Sequence, residues 1–316
     1  NNRAGERFFR KMKMGIRSLM KRRKQSAVRF FLVALVFYGW TRLEGKEFPR
    51  SIRLAYRPEA GTCTNYEMAV EASAKLVGRE EEIYPSVPQE SKTFGSFLFS
   101  HKVLDITSGG NIREELTYTD AKLEMEIAGK RQSLDFADRL KGKTILMEIG
   151  RDGRTISVKG LEEFSEELRD LGIRDMYIQM RPMFPDRELK VGDSWDNRTE
   201  SALPIGDMLV RTQVDQRYTI SGFEEKGGNL CVLIGTNIEI NTTGKTLKKG
   251  EFDTDIDMKG KGDGKILYSL EDSRTISSRM GIDLRSWIRS SAYREVREIE
   301  MEHRVELLLE ERRGGK

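Results

Sequence analysis

The chain has 316 residues with 55 Lys+Arg, 51 Asp+Glu, two Cys and two His, a formal net charge of +4. So few Cys and His exclude a disulfide-dense scaffold and leave little for a zinc site. The charge is unevenly placed: residues 1–45 hold 12 basic and 2 acidic side chains, the remainder 43 basic and 49 acidic. The body is thus weakly acidic, which argues against a nucleic-acid reader.

Residues 1–45 read as an upstream basic segment and an export leader. Basic residues at 21–24 and Arg29 precede an apolar run from Phe30 to Trp40. A basic end followed by a short apolar stretch is the pattern of a secretory signal. The run is too short to span a bilayer as a helix, which needs about 20 residues. The expectation is a signal peptide, or a signal anchor at residues 30–40 if uncleaved, with Met20 as the natural initiator. A basic amphipathic membrane helix over 3–24 is the weaker alternative.

From Ile52 onward the pattern is period two. In Cys63–Val77, Tyr66, Met68, Val70, Ala72, Ala74 and Leu76 share one parity, with Asn65, Glu67, Glu71, Ser73 and Lys75 on the other. Strands of this kind bury one face and leave the other wet. Similar stretches follow at 92–107, 112–118, 121–128, 143–149 and 154–159. After the midpoint come 208–224, 229–242, 251–258, 264–271, 274–282 and the tail 286–309, punctuated by glycine turns such as Lys226-Gly227-Gly228. The tail could be drawn as a helix, but its alternation favours a strand. Residues 160–186 break the pattern: Leu161, Phe164, Leu168 and Leu171 recur at helical spacing, with acidic residues in the first turn. The expected fold is mainly β, with long antiparallel meandering strands forming a curved sheet or half-barrel and a short helical segment near the middle. The helical connector (160–186) divides an N-terminal β-rich half (46–159) from a C-terminal one (187–316). Pattern alone leaves open whether these are two lobes or one sheet.

Few residues offer chemistry. Gly192-Asp193-Ser194 invites comparison with serine esterases, whose hydroxyl needs a histidine base and an acidic partner. The segment lies mid-chain, and the late His303 sits in a strongly alternating stretch. The simpler reading is a Gly192-Asp193 turn followed by a strand, with Trp195 packed inward. Asp253, Asp255 and Asp257 share a strand face without the spacing of a calcium loop, so no metal is expected. Gly260, Gly262 and Gly264 do not open a helix as a phosphate loop would. They mark a bend or a close approach of another element. Cys63 and Cys231 are either one bridge between the halves or two separate thiols. His101 is expected to be structural or at the surface.

The sequence resembles a family of exported bacterial proteins known as a domain of unknown function. The resemblance runs through Tyr56-Arg57-Pro58-Glu59-Ala60-Gly61-Thr62, Lys141-Gly142-Lys143, Asp152-Gly153, Val158-Lys159-Gly160-Leu161-Glu162, Phe184-Pro185-Asp186 and Val191-Gly192-Asp193-Ser194-Trp195. It covers about 52–312 and implies no activity. More remotely, the pattern is similar to the half-barrels of periplasmic lipoprotein carriers, an analogy at the level of fold.

The expectation is therefore an exported, noncatalytic protein of the bacterial periplasm or cell envelope, with no cofactor. It is expected to hold an apolar ligand such as a lipid; the alternative is a structural or interaction module partnered by another envelope protein, and a hydrolase is third. No nucleic acid is expected, and membrane contact comes only through an uncleaved leader. The expected lining is Phe94, Leu98, Tyr118, Leu123, Met125 and Met147, which would equally serve a packed core.

Overall fold

The computed structural model describes residues 48–77, 89–163, 181–205, 207–247, 252–292 and 295–312. The chain divides into Asn1–Pro49 and Arg50–Lys316, and the architecture below is that of the second unit. The leader expected over 1–45 lies outside the described residues.

The strands are β1 (Cys63–Leu76), β2 (Glu90–Ile106), β3 (Ile112–Ile127), β4 (Lys130–Ser133), β5 (Thr144–Ile149), β6 (Thr155–Lys159), β7 (Ser194–Ile205), β8 (Met208–Lys226), β9 (Asn229–Thr246), β10 (Phe252–Ser269), β11 (Arg274–Ala292) and β12 (Glu295–Arg312). All belong to one antiparallel sheet in the order β6-β5-β3-β2-β1-β12-β11-β10-β9-β8-β7, with β4 pairing β3 off this path. The two halves are therefore one sheet, joined where β1 pairs β12 from Asn65↔Arg312 to Leu76↔Met301. The sheet is open, since β6 and β7 end the path without pairing with each other.

The expected helical connector is not supported. Among the described residues there is no α-helix, only 3-10 turns at Asp135–Leu140 and Leu161–Glu163. Residues 164–180, where the helical spacing runs, lie outside the described residues. At 181–189 the chain is irregular, and Leu189 makes an isolated bridge to Ile52. Pro182 and Pro185 lack the N–H groups a helix would need here. The tail is β-structure, but not the single strand expected over 286–309: residues 286–292 end β11 and 295–309 belong to β12, which runs antiparallel to it.

One face of the sheet is apolar. Tyr66 and Met68 of β1 sit opposite Phe99 and Phe97 of β2, and opposite Glu311 and Leu309 of β12. The same parity continues through Met280 and Ile282 of β11, Ile238 and Ile234 of β9, and Tyr218 of β8. Gly260, Gly262 and Gly264 fall on this face opposite Leu284, Ile282 and Met280. A Cβ on Gly264 would lie 2.6 Å from the Arg279 carbonyl oxygen, and one on Gly262 would meet the Gly281 carbonyl oxygen. The glycine row is thus a close backbone approach between β10 and β11.

At one end the sheet curls over its apolar face. Val103 of β2 and Ile112 of β3 share a buried cluster with Tyr218, Ile220, Val232, Ile234, Ile266 and Tyr268, from strands far away in the order. The lead-in residues Ile52, Leu54 and Tyr56 fill the gap together with Phe184 and Leu189. The Tyr56 and Phe184 rings stack at 4.9 Å, and both meet Tyr268 edge-on at 5.6 and 5.0 Å. Backbone bonds from Tyr56 N to Arg151 O (2.9 Å) and Phe184 N to Asp152 O (2.7 Å) pin these segments to the β5–β6 turn. A second cluster, including Tyr66, Phe99, Leu116, Tyr118, Ile145 and Met147, lies beside it under the N-terminal strands.

Candidate functional site

Two features of the apolar face stand out: a charged group of residues inside the packed end, and an apolar lattice beyond it.

Glu114 of β3 lies between Ile112 and Leu116 on the buried parity, and its side chain is only 2% exposed. His101 Nε2 reaches its Oε2 at 2.8 Å and Arg181 Nη2 reaches the same oxygen at 2.5 Å. Both side chains thus converge on one buried oxygen. His101 Nε2 and Arg181 Nη2 are themselves 2.9 Å apart. Burial alone would raise the carboxyl pKa of Glu114, but Arg181, with His101 behind it, brings it down to about 2. The carboxylate is therefore ionised wherever the protein is folded near neutrality.

These three side chains adjoin a cavity of about 80 Å³ also lined by Tyr56, Tyr66, Phe99, Met147 and Leu309. At its rim Arg274 pairs with Glu311 and Asp272 at 3.0 and 3.1 Å. Burial raises the phenol pKa of Tyr66 and Tyr268, which stay neutral and donate to the carbonyls of Thr275 (2.9 Å) and Ala55 (3.1 Å). A cavity this small admits water rather than a drug-sized ligand, for which about 300 Å³ is the lower bound. Its groups tie the lead-in, β2, β3 and the 181–189 segment together.

That arrangement sets a pH dependence. Because folding lowers the Glu114 pKa from an ordinary 4.5 to about 2, its contribution to stability is complete above pH 4.5 and is lost as pH falls toward 2. Glu114→Gln is expected to flatten the fall in unfolding free energy between about pH 5 and pH 2, measured by urea titration at each pH. An identical slope in the two proteins would contradict the assignment.

Beyond the packed end the apolar face continues without belonging to either buried cluster. Val305 and Leu307 of β12, Met280, Ile282 and Leu284 of β11, Met258 of β10 and Ile240 of β9 are all half-buried and in register across four strands. Ala72 and Ala74 of β1 extend the lattice, opposite Val305 and His303. With strands about 4.8 Å apart, five strands span roughly 19 Å. The glycine row removes side chains from the centre of this lattice. Two larger hollows among the described residues, about 700 and 660 Å³, are lined by charged side chains of the opposite parity, such as Lys75, Lys261 and Arg304 in the first and Asp215 and Arg217 in the second, and the first also by Ile240, Leu284 and His303 of the lattice face.

The expected lining residues divide by parity. Tyr118 and Met147 are buried in the N-terminal cluster, and Leu123 packs against it. Met125 is half-buried on the same face, opposite Thr93 and Gln132. Phe94 and Leu98 are on the polar face instead. Phe94 stands opposite Glu71 and Glu124 with the Arg131 guanidinium 4.1 Å above its ring, and Leu98 stands opposite Glu67 and Asp120. The lattice on β9–β12 was missed, although its alternation is written in Met280-Gly281-Ile282-Asp283-Leu284.

Cys63 and Cys231 do not form a bridge: both are free thiols, Cys63 exposed on β1 and Cys231 buried on β9. Trp195 packs inward, its ring stacked on Tyr218 at 5.3 Å and its indole N–H donating to the Met183 carbonyl at 2.7 Å. Gly192 has φ +91° in the turn that precedes it. Ser194 shares a hydrogen bond with Thr219 (2.8 Å), while His303 meets Ser286 (2.8 Å) with β8–β11 between the two sites. The esterase arrangement is not assembled around Ser194. Asp257 pairs with Lys259 at 3.4 Å, and among the described residues no group of three or more His, Cys, Asp or Glu is placed to hold a metal. No helix among the described residues is long and apolar enough to cross a membrane.

No protein-family model and no curated protein matches the chain. Among solved structures, one titled for lipid–protein interactions in lipovitellin is similar over 83% of this chain, at 11% identity and a TM-score of 0.38; this chain spans about a quarter (26%) of that one. Two mutants of the Rhodopseudomonas blastica porin are similar over 78% of this chain and all of theirs, at 6% and 8% identity and a TM-score of 0.21. Likeness at this level is shared by long antiparallel strands in general and carries no function across.

Proposed function

We propose that this protein is an exported, noncatalytic binding module of the cell envelope that holds an apolar ligand, such as a lipid or acyl chain, on the apolar face of β9–β12 and β1. The observation that carries the reading is the lattice of Ile240, Met258, Met280, Ile282, Leu284, Val305 and Leu307, half-buried and outside both packed clusters. Contiguous apolar surface of this kind marks an interaction site in a soluble protein. Each methylene removed from water against it stabilises the complex by about 0.8 kcal/mol. The packed end holds the curvature, and the glycine row leaves the middle of the lattice low. Export follows from the leader, and the resemblance of residues 52–312 to an exported family belongs to the same proposal.

Titration with a fluorescent fatty acid tests it. The unmodified protein is expected to enhance the probe's emission saturably. Ile282→Lys and Leu307→Lys, which place a charge in the lattice, are expected to weaken binding roughly tenfold or more while the far-UV spectrum stays that of a β protein. Equal binding by all three proteins, or none by the unmodified one, would sink the reading.

A further inference from the structure

Strand β7 ends the sheet path and pairs only with β8. Ile220 N donates to the Asp193 carbonyl at 3.0 Å, whereas the Ser194 carbonyl accepts from the Arg187 guanidinium at 2.9 Å. Backbone groups alternate along a strand, so odd-numbered residues of β7 turn theirs to β8. Asp196, Arg198, Glu200 and Ala202 turn theirs away, and among the described residues none makes a backbone bond outside the β7–β8 ladder. Pro204 has the outward parity, so its missing N–H breaks no β7–β8 bond and stops further pairing at that end of the edge. Such an edge is a template for another strand.

The charges on β7 select what can pair with it. Asp196, Arg198 and Glu200 are exposed and share the polar face, where Arg217 and Asp215 of β8 already pair with Asp196 (3.2 Å) and Arg198 (2.6 Å). If a second copy paired antiparallel with Arg198 opposite Arg198, Asp196 would oppose Glu200 and every charged pair would repel. With Thr199 opposite Thr199, Arg198 opposes Glu200 twice and the strands pair from Asp196 to Ala202; pairing ends there, because Pro204 has no N–H and the Ser194 carbonyl is held by Arg187. The parity of faces is kept. In this register the outward residues become the hydrogen-bonded pairs, and the two Thr199 residues take the close non-hydrogen-bonded position, with Cα atoms about 4.5 Å apart. A separate observation points to the same place: the Thr199 hydroxyl oxygen is buried with no hydrogen-bond partner. Cross-strand threonine pairs hydrogen-bond one another, and rotation about χ1 would bring the two hydroxyls together.

We propose that two copies of this chain pair antiparallel through β7 about a two-fold axis at Thr199, continuing the sheet from one subunit into the next. The contact is isologous, so each charge pair occurs twice.

Sedimentation velocity over a concentration series tests this. The unmodified protein is expected to show a monomer–dimer equilibrium. Arg198→Glu and Glu200→Arg, each of which sets like charges opposite one another, are expected to weaken the dimer roughly tenfold or more. Combining the two restores opposite charges across the contact, though not the Arg198–Asp215 pair within each subunit, and is expected to recover most of the dimer. In a Cys63→Ser background, Thr199→Cys is expected to form an intersubunit disulfide under mild oxidation, since about 4.5 Å between Cα atoms lies within disulfide reach. Asn197→Cys is not, because Asn197 lies opposite Ser201. A monomer at every concentration, a dimer indifferent to the charge exchanges, or equal cross-linking at positions 197 and 199 would each overturn the proposal.

Discussion

Arg181→Met is expected to lower the free energy of unfolding by about 3–5 kcal/mol, read from urea denaturation at neutral pH. The cause is the carboxylate left behind more than the lost attraction. Glu114 is 2% exposed and ionised, with Arg181 at 2.5 Å and His101 at 2.8 Å from the same oxygen. Without the guanidinium, the protein must keep an uncompensated buried charge, protonate it or open the packed end. The double variant Arg181→Met/Glu114→Met is therefore expected to recover most of the loss, since a well-packed apolar replacement of a buried pair is often neutral or stabilising. A single variant costing less than about 1 kcal/mol would show that water already reaches Glu114 and that the ion pair does not hold this end closed.

Trp195→Ala is expected to cost a comparable amount, about 3–5 kcal/mol, by the same measurement. The indole stacks on Tyr218, is 8% exposed, and satisfies the Met183 carbonyl. Removing it opens a large void in the cluster that joins the two halves of the sheet and leaves that carbonyl unpaired. Trp195→Phe keeps most of the packing and loses the hydrogen bond, so it should cost less. Equal losses for the two variants would mean that the hydrogen bond, not the volume, dominates.

Much of the sheet was legible because period two has few rivals. Cys63–Leu76 alternates cleanly, and Lys226-Gly227-Gly228 turns β8 directly into β9. The tail reads as strand because Glu298, Glu300, Glu302 and Glu306 alternate with Ile299, Met301, Val305 and Leu307. The strand order was not legible. Hairpin partners follow from turns, but the pairing of β1 with β12 closes the longest loop in the chain and leaves no local signal.

Site residues failed or succeeded for specific reasons. Around 93–99 both parities carry large apolar side chains, Phe94 and Leu98 on one and Phe97 and Phe99 on the other, so alternation could not say which face was inner. The structure settles it through Tyr66 and Met68, opposite Phe99 and Phe97. Glu114 was readable and was not read: it shares parity with Ile112, Leu116 and Tyr118, as His101 does with Phe97, Phe99 and Val103. A charged side chain on the buried parity of a strand calls for a buried counter-charge. Arg181, 67 residues further on, could not be named as that partner from the sequence. The apolar lattice of β9–β12 was hidden because its rows come from strands adjacent only in the folded sheet.

The apolar face as a ligand site is tested most directly by mass spectrometry of an organic extract of the protein, expressed with its leader and purified without detergent. The account predicts a lipid or fatty-acid species in stoichiometric proportion to the protein, strongly depleted in Ile282→Lys purified in parallel. A clean extract from the unmodified protein, or the same species at the same level in both, would contradict it.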